Sequence, residues 1–179
     1  ELSVTLNPTQ LVSLGGFDWT FRTNYYSTSS EVTKLNVDAY NYGGFATFLG
    51  TYHIAEGWSP TAIVGSEVDA DGEYIELGNE TPDYQVSFFN GFKFGSVDFS
   101  FLIDHKEGGS AINLANLIYD LGGTTADYAE NGDDRLAGLG AVTQPYVEST
   151  TYTTLREVNL TYTLPSSLSD AAGVSYLQV

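Results

Sequence analysis

The sequence predicts an all-β chain of antiparallel, up-and-down strands, and three observations carry that reading. Long runs alternate apolar and polar residues, as in strands with one greasy and one polar face. Aromatics make up 14% of the chain, with 13 Tyr, 10 Phe and 2 Trp. With Thr and Val, these residue types favour strands. Gly, Pro, Asn and Asp punctuate the runs. The clearest stretch is residues 84–107, YQVSFFNGFKFGSVDFSFLIDHKE. In it Tyr84, Val86, Phe88, Phe92 and Phe94 alternate with Gln85, Ser87 and Lys93. Beyond a turn at 94–96, Val97, Phe99, Phe101 and Ile103 alternate with Asp98, Ser100, Asp104 and Lys106. The exceptions are Phe89 and Leu102 on the polar side and Asn90 on the greasy side. The stretch reads as a hairpin.

The other elements follow in order. Leu2, Val4 and Leu6 alternate with polar neighbours and predict a strand over residues 1–8. Pro8 and the Gly15–Gly16 pair mark a turn region. A strand over 17–29 sets Phe17, Trp19, Phe21, Thr23 and Tyr25 against Asp18, Thr20, Arg22, Asn24 and Tyr26. Residues 30–82 lose the pattern and read as a long functional connection, with short strands at 45–52 and 61–64. The hairpin strands are predicted over 83–94 and 97–107. A second long connection, 108–148, holds a helix at 111–119 (AINLANLIY) and a polar turn at 130–135 (ENGDDR). Residues 149–164 form the next strand, with Val158, Leu160, Tyr162 and Leu164 on one face, and Pro165 stops it. A turn over 166–173 leads to the start of a last strand at 174–179.

Composition narrows the function. The chain has 179 residues, with 6 basic and 23 acidic side chains and a net charge of −17. Such acidity repels phosphate backbones, so nucleic acid is not an expected partner. There is no cysteine, hence no disulfide framework and no thiolate metal site. No apolar run approaches the roughly 20 residues of a membrane helix, but a membrane strand needs only about 9–11. Alternation alone fits two arrangements equally: greasy faces sealed in a sandwich core, or facing lipid. Loop lengths separate them. The three linkers within strand pairs are short and fall at one end, while both long connections fall at the other. That is the pattern of a bacterial outer-membrane barrel. Phe17, Trp19, Phe92, Phe94, Phe99 and Tyr162 then lie near the short-turn end, with Tyr25 and Tyr152 towards the long-loop end. Arg22, Lys93, Asp98, Asp104 and Glu157 fall on the polar face. Arg156 and His105 fall on the greasy face towards the outer interface, unless a strand carries a bulge.

Four segments in register resemble the C-terminal part of the SusC/RagA family of TonB-dependent outer-membrane transporters of Bacteroidetes. They are NYYSTSSEVTKL at 24–35, LGNETPDY at 77–84, VDFSFLIDHKEGG at 97–109 and YVESTTYTTLREVNLTYTLP at 146–165. The last is the most specific, similar to that family's YVEDGSYLRLREVSLSYTLP-type strand. The resemblance implies a barrel of about 22 strands with a plug in its lumen. It implies import of oligosaccharides or peptides with a SusD-like surface lipoprotein as lid. The chain is then expected to be a fragment of one barrel domain, the sixteenth to twenty-first strands. The plug domain and the TonB-contacting N-terminal part are absent from it. Its partners would be the rest of the barrel and plug, the lipoprotein, and outer-membrane lipid. The alternative function is a secreted β-sandwich carbohydrate-binding module or adhesin.

For ligand or partner contact the candidates are Tyr40, Tyr42, Trp58, Tyr74, Tyr119 and Tyr128, all in the long connections. Aromatic platforms suit sugar rings or a protein lid; packing of the loops on themselves is the plainer alternative. Asp69 and Asp71, with Glu67, Glu73 and Glu76 nearby, offer oxygens for calcium, as do Glu130, Asp133 and Asp134. Neither set matches the twelve-residue calcium loop, and a solvated acidic loop is the favoured reading, so no cofactor is expected. No catalysis is expected either. His53 and His105 are isolated in sequence, and no nucleophile elbow or phosphate loop is present.

Overall fold

The alternating runs build one five-stranded antiparallel sheet from β1 (Leu2–Leu6), β2 (Phe17–Tyr26), β7 (Pro82–Phe94), β8 (Val97–Gly108) and β11 (Tyr152–Tyr162), in that order. The computed structural model describes residues 1–10 and 15–179; it is mostly β, and none of its sheets closes among the described residues. The middle of the expected turn region before Phe17 lies outside the described residues. The chain divides into two units, Glu1–Ser27, Tyr84–Lys106 and Tyr152–Val179 in one, Thr28–Asp83 and Glu107–Thr151 in the other.

In the first unit, register keeps the greasy residues on one face. Leu2, Val4 and Leu6 lie opposite Tyr25, Thr23 and Phe21. Phe17, Trp19, Thr23 and Tyr25 lie opposite Phe94, Phe92, Phe88 and Val86. On the far side Phe99 and Phe101 lie opposite Leu160 and Val158. Gly95, at φ 56°, makes the two-residue link between β7 and β8. A left-handed residue with no Cβ penalty is what a tight hairpin needs. Burial in this unit is inverted relative to a soluble sheet. Its buried residues, among those described, are Asp104 and Ser169, and no apolar side chain joins them. Leu160 is 70% exposed, Phe94 67% and Leu2 61%.

The second unit is where apolar side chains are buried. Residues expected to form a largely irregular connection instead fold into a sheet of β3 (Tyr40–Ala46), β4 (Gly50–Ile54), β5 (Ala62–Val68) and β6 (Tyr74–Asn79), in that order. The pattern was lost because the strands are short and their registers slip. Shifts fall between Tyr42 and Ala46, Ile63 and Val64, and Val64 and Val68. Each bulge resets the two-residue period before it can be recognised. Ala62, Ile63 and Val64 of β5 are fully buried, as is Tyr146, and Leu117 and Val147 are buried. Val147 starts β10 (Val147–Ser149), which pairs with β9 (Ser110–Ile112). A Cβ on Gly78 would sit 2.6 Å from the Ser110 Cβ and 3.0 Å from a Val147 methyl, so only glycine lets β6 approach here.

The remaining differences are local. The expected helix at 111–119 starts later, as α1 (Leu114–Leu121), because Asn113 caps it by accepting a hydrogen bond from the Asn116 N–H. The polar turn at 130–135 is helical: a π turn, Tyr128–Gly132, runs into α2 (Asp133–Ala137). The strand expected over 149–164 is two strands, β10 and β11. The turn at 166–173 holds α3 (Ser166–Ala171). The last residues form no strand of their own; Leu164 N–H donates to Leu177 and Tyr162 exchanges two backbone bonds with Val179.

Candidate functional site

The polar face of the five-stranded sheet carries the unit's built chemistry. Asp104, on β8, is 7% exposed. Its carboxylate accepts from the Gln85 amide at 3.1 Å to each oxygen, from the Tyr152 hydroxyl at 2.9 Å, and from Arg156 Nη2 at 3.0 Å. Arg156 also donates to the Tyr152 hydroxyl at 3.0 Å and lies over that ring, 5.5 Å from its centre. Arg156 was expected on the greasy face. The register of β11 shifts between Leu155 and Glu157, so Arg156 is the extra residue of a bulge and reaches Asp104 on the polar side. His105 behaves differently: its ring lies 5.8 Å from Tyr84, a residue of the greasy set.

The pattern's other exceptions are also accounted for. Asn90, on the greasy face, accepts from the Trp19 indole N–H at 3.2 Å, so its amide oxygen is satisfied without water. Phe89, on the polar face, lies under the Arg22 guanidinium at 5.1 Å. Beside it a groove of about 390 Å³ crosses the polar face, lined by Asp18, Thr20, Lys93, Asp98, Asn159 and Thr161 among others. On the greasy face, Phe17, Trp19 and Phe99 each stack on Phe92 with ring centres 6.1–6.2 Å apart.

The candidate aromatics of the second unit fall into two places. Tyr42 and Trp58 join Tyr52, His53 and Tyr74 on the β3–β6 sheet. His53 is 8% exposed and shares a 2.6 Å hydrogen bond with the Asn41 amide oxygen. Trp58 and Tyr74 turn their edges to its ring at 5.3 and 5.0 Å. Burial pushes the His53 pKa below its ordinary value, with Glu73 opposing. Tyr42 packs on Tyr52 at 5.4 Å and donates to the Pro60 carbonyl. Tyr40 stands exposed opposite Ile54. So Trp58 and Tyr74 serve partly as packing, whereas Tyr40 and Tyr42 keep exposed rings. Tyr119 is exposed on α1, and Tyr128 donates to Asp133 at 2.7 Å.

The residues that organise this second region were missed by sequence. Asp120 is fully buried and takes a two-point hydrogen bond from Arg135, both at 2.7 Å. Thr125 and Tyr146 also donate to it. Arg135 bridges on to Asp127 at 2.7 and 2.9 Å. Hydrogen bonds from Arg135 hold the Asp120 carboxyl well below the usual carboxylate range and bring Asp127 to about 2. These partners lie 15 and 8 residues apart in different local structures, so no spacing announces them.

The acidic loop residues are used structurally. Asp69 Oδ1 accepts from the N–H groups of Asp71 and Glu73 at 2.9 and 3.0 Å, closing a turn. Glu67 Oε1 accepts from Thr143 and Gln144 N–H at 2.7 and 2.8 Å. Among the described residues no three His, Cys, Asp or Glu side chains gather where a metal ion could be held.

No protein-family model matches the chain, and no curated protein does. Among solved structures it is similar to a chain in the structure of the RagAB peptide importer in its closed-closed state. The two are 18% identical with a TM-score of 0.62, over 98% of this chain and 24% of that one. At that identity the likeness is one of fold. The chain spans about a quarter of the length of the solved chain it resembles.

Proposed function

We propose that the chain is a stretch of the wall of an outer-membrane importer of oligosaccharides or peptides. Its greasy sheet face meets lipid and its polar face looks into the lumen. One observation carries this reading: the sheet's apolar face extends across five strands with few polar interruptions and stays open, while the sheet's buried carboxylate sits on the other face. In water that face is costly, at about 25 cal/mol per Å² of apolar surface. Soluble monomers rarely expose apolar patches beyond a few hundred Å². In hydrocarbon the cost vanishes, and Asp104 with Arg156 stays out of lipid. A β-sandwich module would seal such a face in its core, and the open face weighs against that alternative. The fold likeness to a peptide importer chain supports the same reading.

In this reading the second unit belongs to the outer vestibule, where a SusD-like lipoprotein would meet the importer. TonB would act through another part of the protein. The chain itself carries no catalytic step and no cofactor. The test is fractionation of the protein that carries this chain. It should sediment with outer membranes and need detergent for extraction. Recovery as a monodisperse soluble protein without detergent would sink the proposal.

A further inference from the structure

A second cleft, of about 650 Å³, lies wholly within the second unit, between α1, the 124–127 segment and β10. It is lined by Asn116, Tyr119, Thr124, Thr125, Asp127 and Glu148. Its hydrogen-bond donors are largely spent on the protein. The Thr124 hydroxyl donates to the Tyr119 carbonyl, the Thr125 hydroxyl to Asp120, and the Asn116 amide to Glu148. Its acceptors are held in place but not used up. Glu148 is fixed by amides of Asn113 and Asn116, at 2.8 and 3.2 Å, and these leave its charge intact. Asp127 is anchored by Arg135 yet its side chain is 45% exposed. Since one Arg135 serves both Asp120 and Asp127, that trio keeps a net negative charge. Tyr119 offers an aromatic ring that is 56% exposed.

From this geometry we infer that the cleft binds a cationic group of a peptide, a guanidinium or ammonium. It would lie against Tyr119 and donate to Glu148 and Asp127. With the Asn116, Thr124 and Thr125 donors engaged, the polar atoms left open in the lining are mostly carboxylate acceptors, which suit a cationic donor. An anionic ligand is repelled. A cation over an aromatic face with carboxylates at its rim gains both the ring's quadrupole and charge-assisted hydrogen bonds. The carboxylates are already rigid, so little ordering is lost on binding.

The experiment is calorimetric titration of the detergent-solubilised protein with three probes. They are acetyl-Ala-Arg-Ala-amide, unblocked Ala-Ala-Ala, and maltotriose. The inference expects one or both cationic peptides to bind, more weakly as salt is raised. The first reports a basic side chain, the second a terminal ammonium. Tyr119→Ala should weaken binding about two- to fivefold, and Glu148→Gln about threefold. Tyr119 is exposed, so its variant should fold; circular dichroism checks both. Binding of neither peptide, binding unchanged by both substitutions, or equal binding of maltotriose overturns the inference. Its use as a substrate contact rests on the importer reading, but the titration does not. A protein that binds the peptides yet needs no detergent would remove the importer and leave the cleft.

Discussion

At the scale of residues, the decisive features are charges placed where they must be paired. Asp120 is fully buried and depends on Arg135. Breaking a buried pair by removing one partner costs about 3–5 kcal/mol, because the other charge is left uncompensated. Arg135→Ala should therefore lower stability by about that amount in urea unfolding, and Asp120→Asn on top of it should recover part of the loss. A change under about 1 kcal/mol would mean the network is ornamental. The pH dependence follows with a definite sign. Asp120 titrates lower folded than unfolded, so its contribution is fully present above the unfolded value near 3.9. It is lost as pH falls through the folded value. Melting followed downward from pH 6 should show wild type losing stability below about pH 4 more steeply than Asp120→Asn. Equal slopes would contradict the assignment.

At the scale of elements, the strands of the five-stranded sheet were legible, while the β3–β6 sheet showed only as two short runs, 45–52 and 61–64. β7 and β8 each sustain alternation over a dozen or so residues, so period two survives their exceptions. β3 to β6 run 5–7 residues with bulges among them, so the period shows only in fragments, at 45–52 and 61–64. β11 sits between the cases. Its polar residues fall out of phase once, at Arg156–Glu157, and that phase break is the bulge written in sequence. The faces of β11 give a sharp element-level prediction. Val158, on the greasy face and 57% exposed, should tolerate arginine in water but cost about 2–4 kcal/mol in a bilayer. Asn159→Arg, one residue on and on the polar face, should be nearly neutral. Guanidinium unfolding of protein assembled in vesicles measures both. Similar costs for the two would mean that the faces are not distinguished by lipid.

At the scale of the whole molecule, sequence reached the strand class, and loop asymmetry pointed to a wall rather than a core. What it could not supply was the division of labour between the two units. The buried apolar side chains among those described lie in the two long connections, and the five-stranded sheet carries none. Residue type and loop location mark Tyr40, Tyr42 and Tyr119, whose rings are exposed, and Trp58, whose ring packs on His53, alike. Spacing in the chain says nothing about which way a ring turns.

The most direct test uses the chain's lack of cysteine. Single cysteines at positions 99, 101, 158 and 160 and at 100, 159 and 161 can each carry a nitroxide in protein reconstituted into bilayers. Collision with lipid-dissolved oxygen, compared with a water-soluble nickel reagent, then reads each position's surroundings. Lipid-facing strands predict high oxygen and low nickel access at the first set and lower oxygen access at the second, alternating residue by residue. Uniform access along the strands, or greater oxygen access at 100, 159 and 161, would contradict a greasy face set against hydrocarbon.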